Sequence, residues 1–375
     1  MLRKLDLIGV QSDWGASQRG ASMGPAAIRF GGLVEGLERQ GHHVRDRGDI
    51  LAPRTGASRE KLLHYEQVSE VNRRVYLSVT ETLEEGRFPV ILGGDHSIAA
   101  GSIAAVSKRH SGNIGVIWID AHGDWNSEES TCTGNMHGMP FSAVCGYGPD
   151  CMVEFGQGAA PVNVAHCVQV GGRDIDDLER QRMAQAGVTV FPINMIDKLG
   201  MGAVIEQAIQ IAGEGTDGIH LSFDVDAITP EAVPGTGVIV YNGLTPREAF
   251  LAAEAIAESR KLISMDMVEV NPFLDTANKS GILASELIQS ALGKSVYGAR
   301  RETCGGAFGT DHFRTPAWGC LFGVFSGGRL CLRQGDVAVF RPVWPGGLAG
   351  AVPEHRAAGW GGAASAYHGP ADRPA

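Results

Sequence analysis

The sequence lacks three things at once: a Cys-x-x-Cys pair, an apolar run long enough to span a bilayer, and an apolar leader after Met1. Its seven cysteines are scattered without paired spacing, which argues against a disulfide framework or structural zinc and predicts a reducing cytoplasm. Met1-Leu-Arg-Lys runs directly into a strand-like stretch, so secretion is not expected, and neither is a membrane partner. Basic charge is also short. The formal net charge is −10, which argues against nucleic acid as a partner and suits a cationic small substrate. There are no internal repeats. What remains, at 43% hydrophobic and 20% charged residues, is the composition of a globular protein with ample core.

A different lack marks the C-terminus. From Arg301 onward there is no Lys, Asn, Ile or Met, while Gly, Ala, Pro and Arg crowd in beside Trp318, Trp344 and Trp360. Loss of residues with AT-rich codons is what translation of GC-rich DNA in an unselected frame would produce. A genuine extension is the alternative. The expected division is a main domain over 1–299 and an atypical, poorly ordered extension over 300–375 with no catalytic role.

What is present centres on Asp120-Ala-His122-Gly-Asp124-Trp-Asn126. It follows Ile114-Gly-Val-Ile-Trp-Ile119, an apolar run with the bias of a strand buried on both faces. Side chains two apart on extended backbone point the same way, so Asp120, His122 and Asp124 can converge on a divalent metal. A lone motif of this kind could equally be a polar strand end. It is not alone, however. Asp224 and Asp226 end the run His220-Leu-Ser-Phe-Asp224-Val-Asp226, and His96 follows Val90-Ile-Leu-Gly-Gly-Asp95. Four carboxylates and two imidazoles gathered without cations would repel and carry heavy desolvation costs. Two divalent ions would balance four aspartates. The residues point to a binuclear metal site.

Read in order, strands are expected at 5–10, 88–92, 114–119, 162–170, 187–191, 218–223 and 262–270. Helices are expected at 26–39, 59–85, 97–108, 178–186, 203–212, 246–259 and 282–292. Strands alternating with helices predict a parallel sheet with helices on both faces. Ligands in such sheets bind beyond the carboxyl ends of the strands, where every metal-ligand candidate falls.

Together, Gly93-Gly94-Asp95-His96-Ser97, Asp120-Ala-His122-Gly-Asp124 and Ser222-Phe-Asp224-Val-Asp226 resemble the signature motifs of the ureohydrolase (arginase/agmatinase) family. The resemblance covers about residues 5–296. It takes in Arg19-Gly20 leading to Gly24-Pro25-Ala-Ala-Ile28-Arg29, and Gly243-Leu-Thr-Pro-Arg-Glu248. It implies a three-layer α/β/α fold with a mostly parallel central sheet, two Mn²⁺ per subunit and a homo-oligomer, trimer or hexamer. By the same resemblance His96 and Asp124 are terminal ligands of one ion. His122 and Asp226 serve the other, with Asp120 and Asp224 bridging. Hydroxide held between the ions would attack a guanidinium carbon, and the tetrahedral intermediate would collapse to urea and an amine.

The resemblance extends to the catalytic and substrate-binding residues. His137, in Gly134-Asn-Met-His137-Gly, matches the position that protonates the leaving amine, with a structural loop histidine as the alternative. Glu269, in Met267-Val-Glu269-Val-Asn-Pro272, matches the carboxylate that grips the guanidinium through parallel hydrogen bonds. Asp266, earlier on that strand, could support the site from behind. Asn126, Thr133 and Asn135 resemble the loop that hydrogen-bonds an α-carboxylate, and Asp176, with Asp174 nearby, matches the acid that takes an α-ammonium. The implied reaction is L-arginine to L-ornithine and urea. The alternatives are another amidinohydrolase, of agmatinase or guanidinobutyrase type, or a non-catalytic metal- or arginine-binding protein on this fold. Two departures stand out: Thr229-Pro230 replaces the family's usual Asp-Pro, and Gly235-Thr-Gly-Val-Ile-Val240 lacks an expected Pro.

Overall fold

The computed structural model describes residues 2–153 and 160–294, so the extension expected over 300–375 lies outside the described residues. Eight strands, β1 (Lys4–Gln11), β2 (His43–Leu51), β3 (Phe88–Leu92), β4 (Gly115–Ile119), β5 (Cys167–Val170), β6 (Thr189–Phe191), β7 (Ile219–Asp224) and β8 (Leu262–Val268), form one sheet. Their order is β2-β1-β3-β8-β7-β4-β5-β6, and every pairing is parallel.

Alternate residues along the strands serve opposite faces. Leu5, Leu7, Val90, Leu92, Ile117, Ile119, Leu221 and Met265 pack with Ile28, Leu37, Val204, Ala252 and Leu287. Those partners come from α1 (Gly24–Phe30), α2 (Leu33–Arg39), α9 (Met201–Gly213), α10 (Pro246–Ser259) and α11 (Lys279–Ala291). On the other face Ile8, Val10, Ile91, Val116 and Trp118 meet Val71, Val75, Ile103, Val106, Phe141 and Met183. These lie on α3 (Tyr65–Glu84), α4 (Ala99–Arg109), α5 (Pro140–Val144) and α7 (Asp177–Ala186), while α6 (Asp150–Val153) and α8 (Ile193–Leu199) are short. Two cores on one sheet make the three-layer α/β/α architecture. No described helix is long and apolar enough to cross a membrane.

The register places the site. Leu92 pairs with Met267, Met267 with Phe223, Phe223 with Ile119, and Ile119 with Val170. This level row crosses the middle of the sheet, and just beyond it lie His96, Glu269, Asp224 and Asp120.

The structure departs from the sequence expectations at several elements. The helix expected at 26–39 is two helices, because Gly31 approaches the backbone of α11 and Gly32 adopts φ +81°. The one expected at 59–85 begins only at Tyr65; just before it, Leu63 N–H donates to Gly134 O. The strand expected at 162–170 keeps only its last four residues. Strand β2 was not expected at all. Its residues are exposed or half-buried along a sheet edge, so it carries no apolar pattern and is held by backbone pairing to β1.

Candidate metal centre and active site

His96 enters from the turn after β3, where Asp95 accepts hydrogen bonds from Ser97 N and Gly15 N. Its Nδ1 lies 3.1 Å from Asp120 Oδ2, 3.0 Å from Asp124 Oδ2 and 3.1 Å from Asp224 Oδ2. His122 Nδ1 lies 3.3 Å from Asp120 Oδ1 and 3.1 Å from Asp226 Oδ2. The donor atoms form two groups with the spacing of a metal site: His96, Asp120 and Asp224, and Asp120, His122 and Asp226. All six expected ligands thus meet. Asp120 belongs to both groups. Asp224 falls with His96 only, and its Oδ1 accepts the Asp226 N–H at 2.8 Å.

The chain holds this geometry by hydrogen bonds behind the ligands. Trp118 Nε1 donates to Asp120 Oδ2, and the indole stacks on His96 at 4.1 Å. Gln169 Nε2 donates to the carbonyls of Asp120 and His122, both at 3.0 Å. Asp124 and Glu269 have φ of +48° and +62°, conformations that cost a non-glycine residue about 1–3 kcal/mol and concentrate at functional sites.

The electrostatics are unbalanced. Burial, then the neighbouring Asp226 and Asp120, push Asp224 well above the ordinary carboxylate range. Burial and Asp120 raise Asp124 to about 6. Asp120 goes the other way: burial opposes its charge, but the neighbouring His122 and His96 imidazoles hold it low. The buried His96 Nδ1 has no hydrogen-bond partner of acceptable geometry, although three carboxylate oxygens surround it. An orphaned nitrogen facing three acids is what a divalent cation would satisfy, and mixed imidazole and carboxylate donors suit an ion of intermediate hardness.

A cleft of about 220 Å³ opens over these residues, lined also by Asn126, Thr133, Asn135, His137, Asp174, Asp176 and Glu179. Ser130 Oγ donates to Asn126 Oδ1, and Ser17 Oγ to Asn135 Oδ1. With the oxygens so held, the NH₂ ends are the groups available to the cleft. The Thr133 hydroxyl accepts from Asn135 N–H, and Asp176 stands at the start of α7. Glu269 lies behind His137, lining an adjoining space with Gln18 and Gly237. Its Oε1 accepts from His96 N–H at 2.8 Å and meets His137 Nδ1 at 2.9 Å. Burial disfavours charge on His137, but the Glu269 carboxylate outweighs it and holds the imidazole up to about 9. Thr229, the departure from Asp-Pro, still makes its turn: its carbonyl accepts from Ala232 and Val233 N–H.

Sequence reasoning missed Glu179. It lines the cleft, accepts Trp125 N–H at 2.7 Å, and burial drives its carboxyl up to about 8. The Asp176-x-x-Glu179 spacing of a capping box was the available signal.

Comparison with known proteins bears directly on this arrangement. A family model described as the arginase family matches residues 3–293. The chain belongs to the arginase family. Among its relatives, the arginase of Bacillus caldovelox is 39% identical over 299 residues, covering 79% of this chain and all of that one. The arginase of Brevibacillus brevis is 41% identical over 298 residues, with 79% and 100% coverage. The solved structure of arginase from Bacillus cereus superposes with a TM-score of 0.74 at 42% identity, over 78% of this chain and 99% of that one. As a member of the arginase family the chain is a ureohydrolase enzyme.

Proposed function

We propose that this arginase-family chain hydrolyses L-arginine to L-ornithine and urea at a pair of Mn²⁺ ions. The observation that carries the reading is the convergence of His96, Asp120, His122, Asp224 and Asp226 into two donor groups sharing one aspartate, with Asp124 Oδ2 3.0 Å from His96 Nδ1. When bound, the ions would supply water activated for attack at neutral pH. Asp120 would tie the two positions together, and Asp124 would complete the set around His96.

The remaining steps belong to the side chains. Glu269 offers a carboxylate whose planar geometry matches a guanidinium. His137, charged beside Glu269, holds a proton at the edge of the cleft and would deliver it to the leaving amine. Asn126, Thr133 and Asn135 present neutral donors that suit an α-carboxylate. Asp174 and Asp176 supply negative charge for an α-ammonium. Agmatine has no carboxylate and would leave those neutral donors without a partner, which favours arginine over the decarboxylated substrate. The test is urea release from arginine, agmatine and guanidinobutyrate after Mn²⁺ loading. Turnover of agmatine but not arginine would overturn the substrate assignment.

A further inference from the structure

A buried polar chain behind His96 is not used by the chemistry above. His96 Nε2 meets Ser222 Oγ at 2.8 Å. Ser222 Oγ donates to Asp266 Oδ1 at 2.5 Å. The other oxygen, Asp266 Oδ2, accepts from Ser102 Oγ and meets His220 Nε2, both at 2.9 Å. His220 Nδ1 in turn meets Ser264 Oγ at 2.7 Å. His96, Ser222, Asp266, His220, Ser264 and Ser102 are all at most 1% exposed, so water offers no alternative partner.

The proton order along this chain follows from counting donors. A carboxylate only accepts, so the single Ser222 hydroxyl proton points to Asp266. The Ser222 oxygen can then only accept from His96, which places the imidazole proton on Nε2. The lone pair of the neutral ring is left on Nδ1, the atom facing Asp120, Asp124 and Asp224. We propose that Asp266 is a positioning residue that, through Ser222, fixes the His96 tautomer able to bind a cation. The inference rests on the two-ion reading above. Outer partners of this kind typically contribute about 10–100-fold in metal affinity.

Asp266→Asn gives a sharp test, because it reverses the chain. The Asn oxygen is required where Ser102 and His220 donate, so its NH₂ faces Ser222. Ser222 then donates to His96 Nε2, and the proton moves to Nδ1, against the three carboxylates. Bound Mn²⁺ would be counted by elemental analysis after gel filtration, and affinities measured by titration of the free-ion EPR signal. The wild type is expected to hold two ions. Asp266→Asn is expected to lose one and keep the other, whose retention also reports an intact fold. Ser222→Ala breaks the chain without reversing it, so it should hold both ions with one weakened about 10–100-fold. Two ions of unchanged affinity in both variants would overturn the proposal and leave the two-ion reading standing. Equal weakening of both ions would overturn it too, since that marks a general structural role. If Asp266→Asn does not fold, Ser222→Ala alone decides. A wild type that binds fewer than two ions removes the two-ion reading, and the proposal with it.

Discussion

Two parts of this molecule bury acids, and they do so differently. At the β1–β2 edge, Asp6 is fully buried. Arg45 Nε donates to Oδ1 at 2.9 Å and its Nη2 to Oδ2 at 2.5 Å. Arg87 and Thr82 also donate to it, and Arg47 lies 3.6 Å away. Burial alone would raise its pKa, but the bonds from Arg45 and Arg87 prevail and hold it low. At the strand ends in mid-sheet, four aspartates share two imidazoles, and Asp224 and Asp124 are driven upward. An acid already matched by the chain's own cations is finished structure. Acids gathered beyond their cations are a site waiting for charge from outside.

That contrast can be broken by substitution, and the largest effect is expected in mid-sheet. Asp120→Asn should abolish urea release and lower bound Mn²⁺ to one ion or none, because Asp120 belongs to both donor groups. Two ions per chain and normal turnover would mean that the two acid clusters do not differ in kind.

His137→Asn sharpens the contrast within the site itself. Its proposed role is to move a proton, so turnover should fall ~10²–10⁴-fold while metal analysis still finds two ions. Activity within a factor of two of the parent at every pH would remove His137 from the mechanism.

Asp6→Ala is the counterpart at the edge. It strands arginines that are only partly exposed, and should lower stability in denaturant titrations by about 3 kcal/mol, the low end for breaking a buried ion pair. Metal content of the folded variant should be unchanged. The parent's contribution from Asp6 has a defined pH window. With its folded pKa depressed, that stability is present above the ordinary carboxylate value of about 4. It fades as pH falls through the lower folded value.

Asp176 is a third case, an exposed acid at the cleft rim. Asp176→Ala should leave the metal count unchanged, cost about 1 kcal/mol of stability as a lost helix cap, and raise KM for arginine far more than for agmatine. Equal changes for both substrates would leave it a helix-start residue only. The smallest effect is expected from ending the chain after about residue 299. Both acid clusters precede that point, so metal binding, activity and unfolding midpoint should match the full chain. An insoluble or metal-free product would count against the proposed domain division.

The central strands and the acids and imidazoles that gather at their ends were legible in the sequence because their signals are local. Continuous apolar runs mark strands buried on both faces, and the Asp120-x-His122-x-Asp124 spacing marked the cluster, although the three lie past the end of β4 and Asp124 has φ +48° rather than extended backbone. Where the local signal is weak, reading failed. The charged edge strand β2 has no apolar pattern, and the Gly31-Gly32 break depends on how closely α11 approaches. Only tertiary structure decided which acids would be matched by arginines. Asp6 finds Arg45 and Arg87 across 39 and 81 residues of chain, and no spacing rule reaches so far. It likewise placed Glu269 against His137, 132 residues away. It also built the chain from Asp266 to His96, because parallel strands bring side chains distant in sequence to the same level.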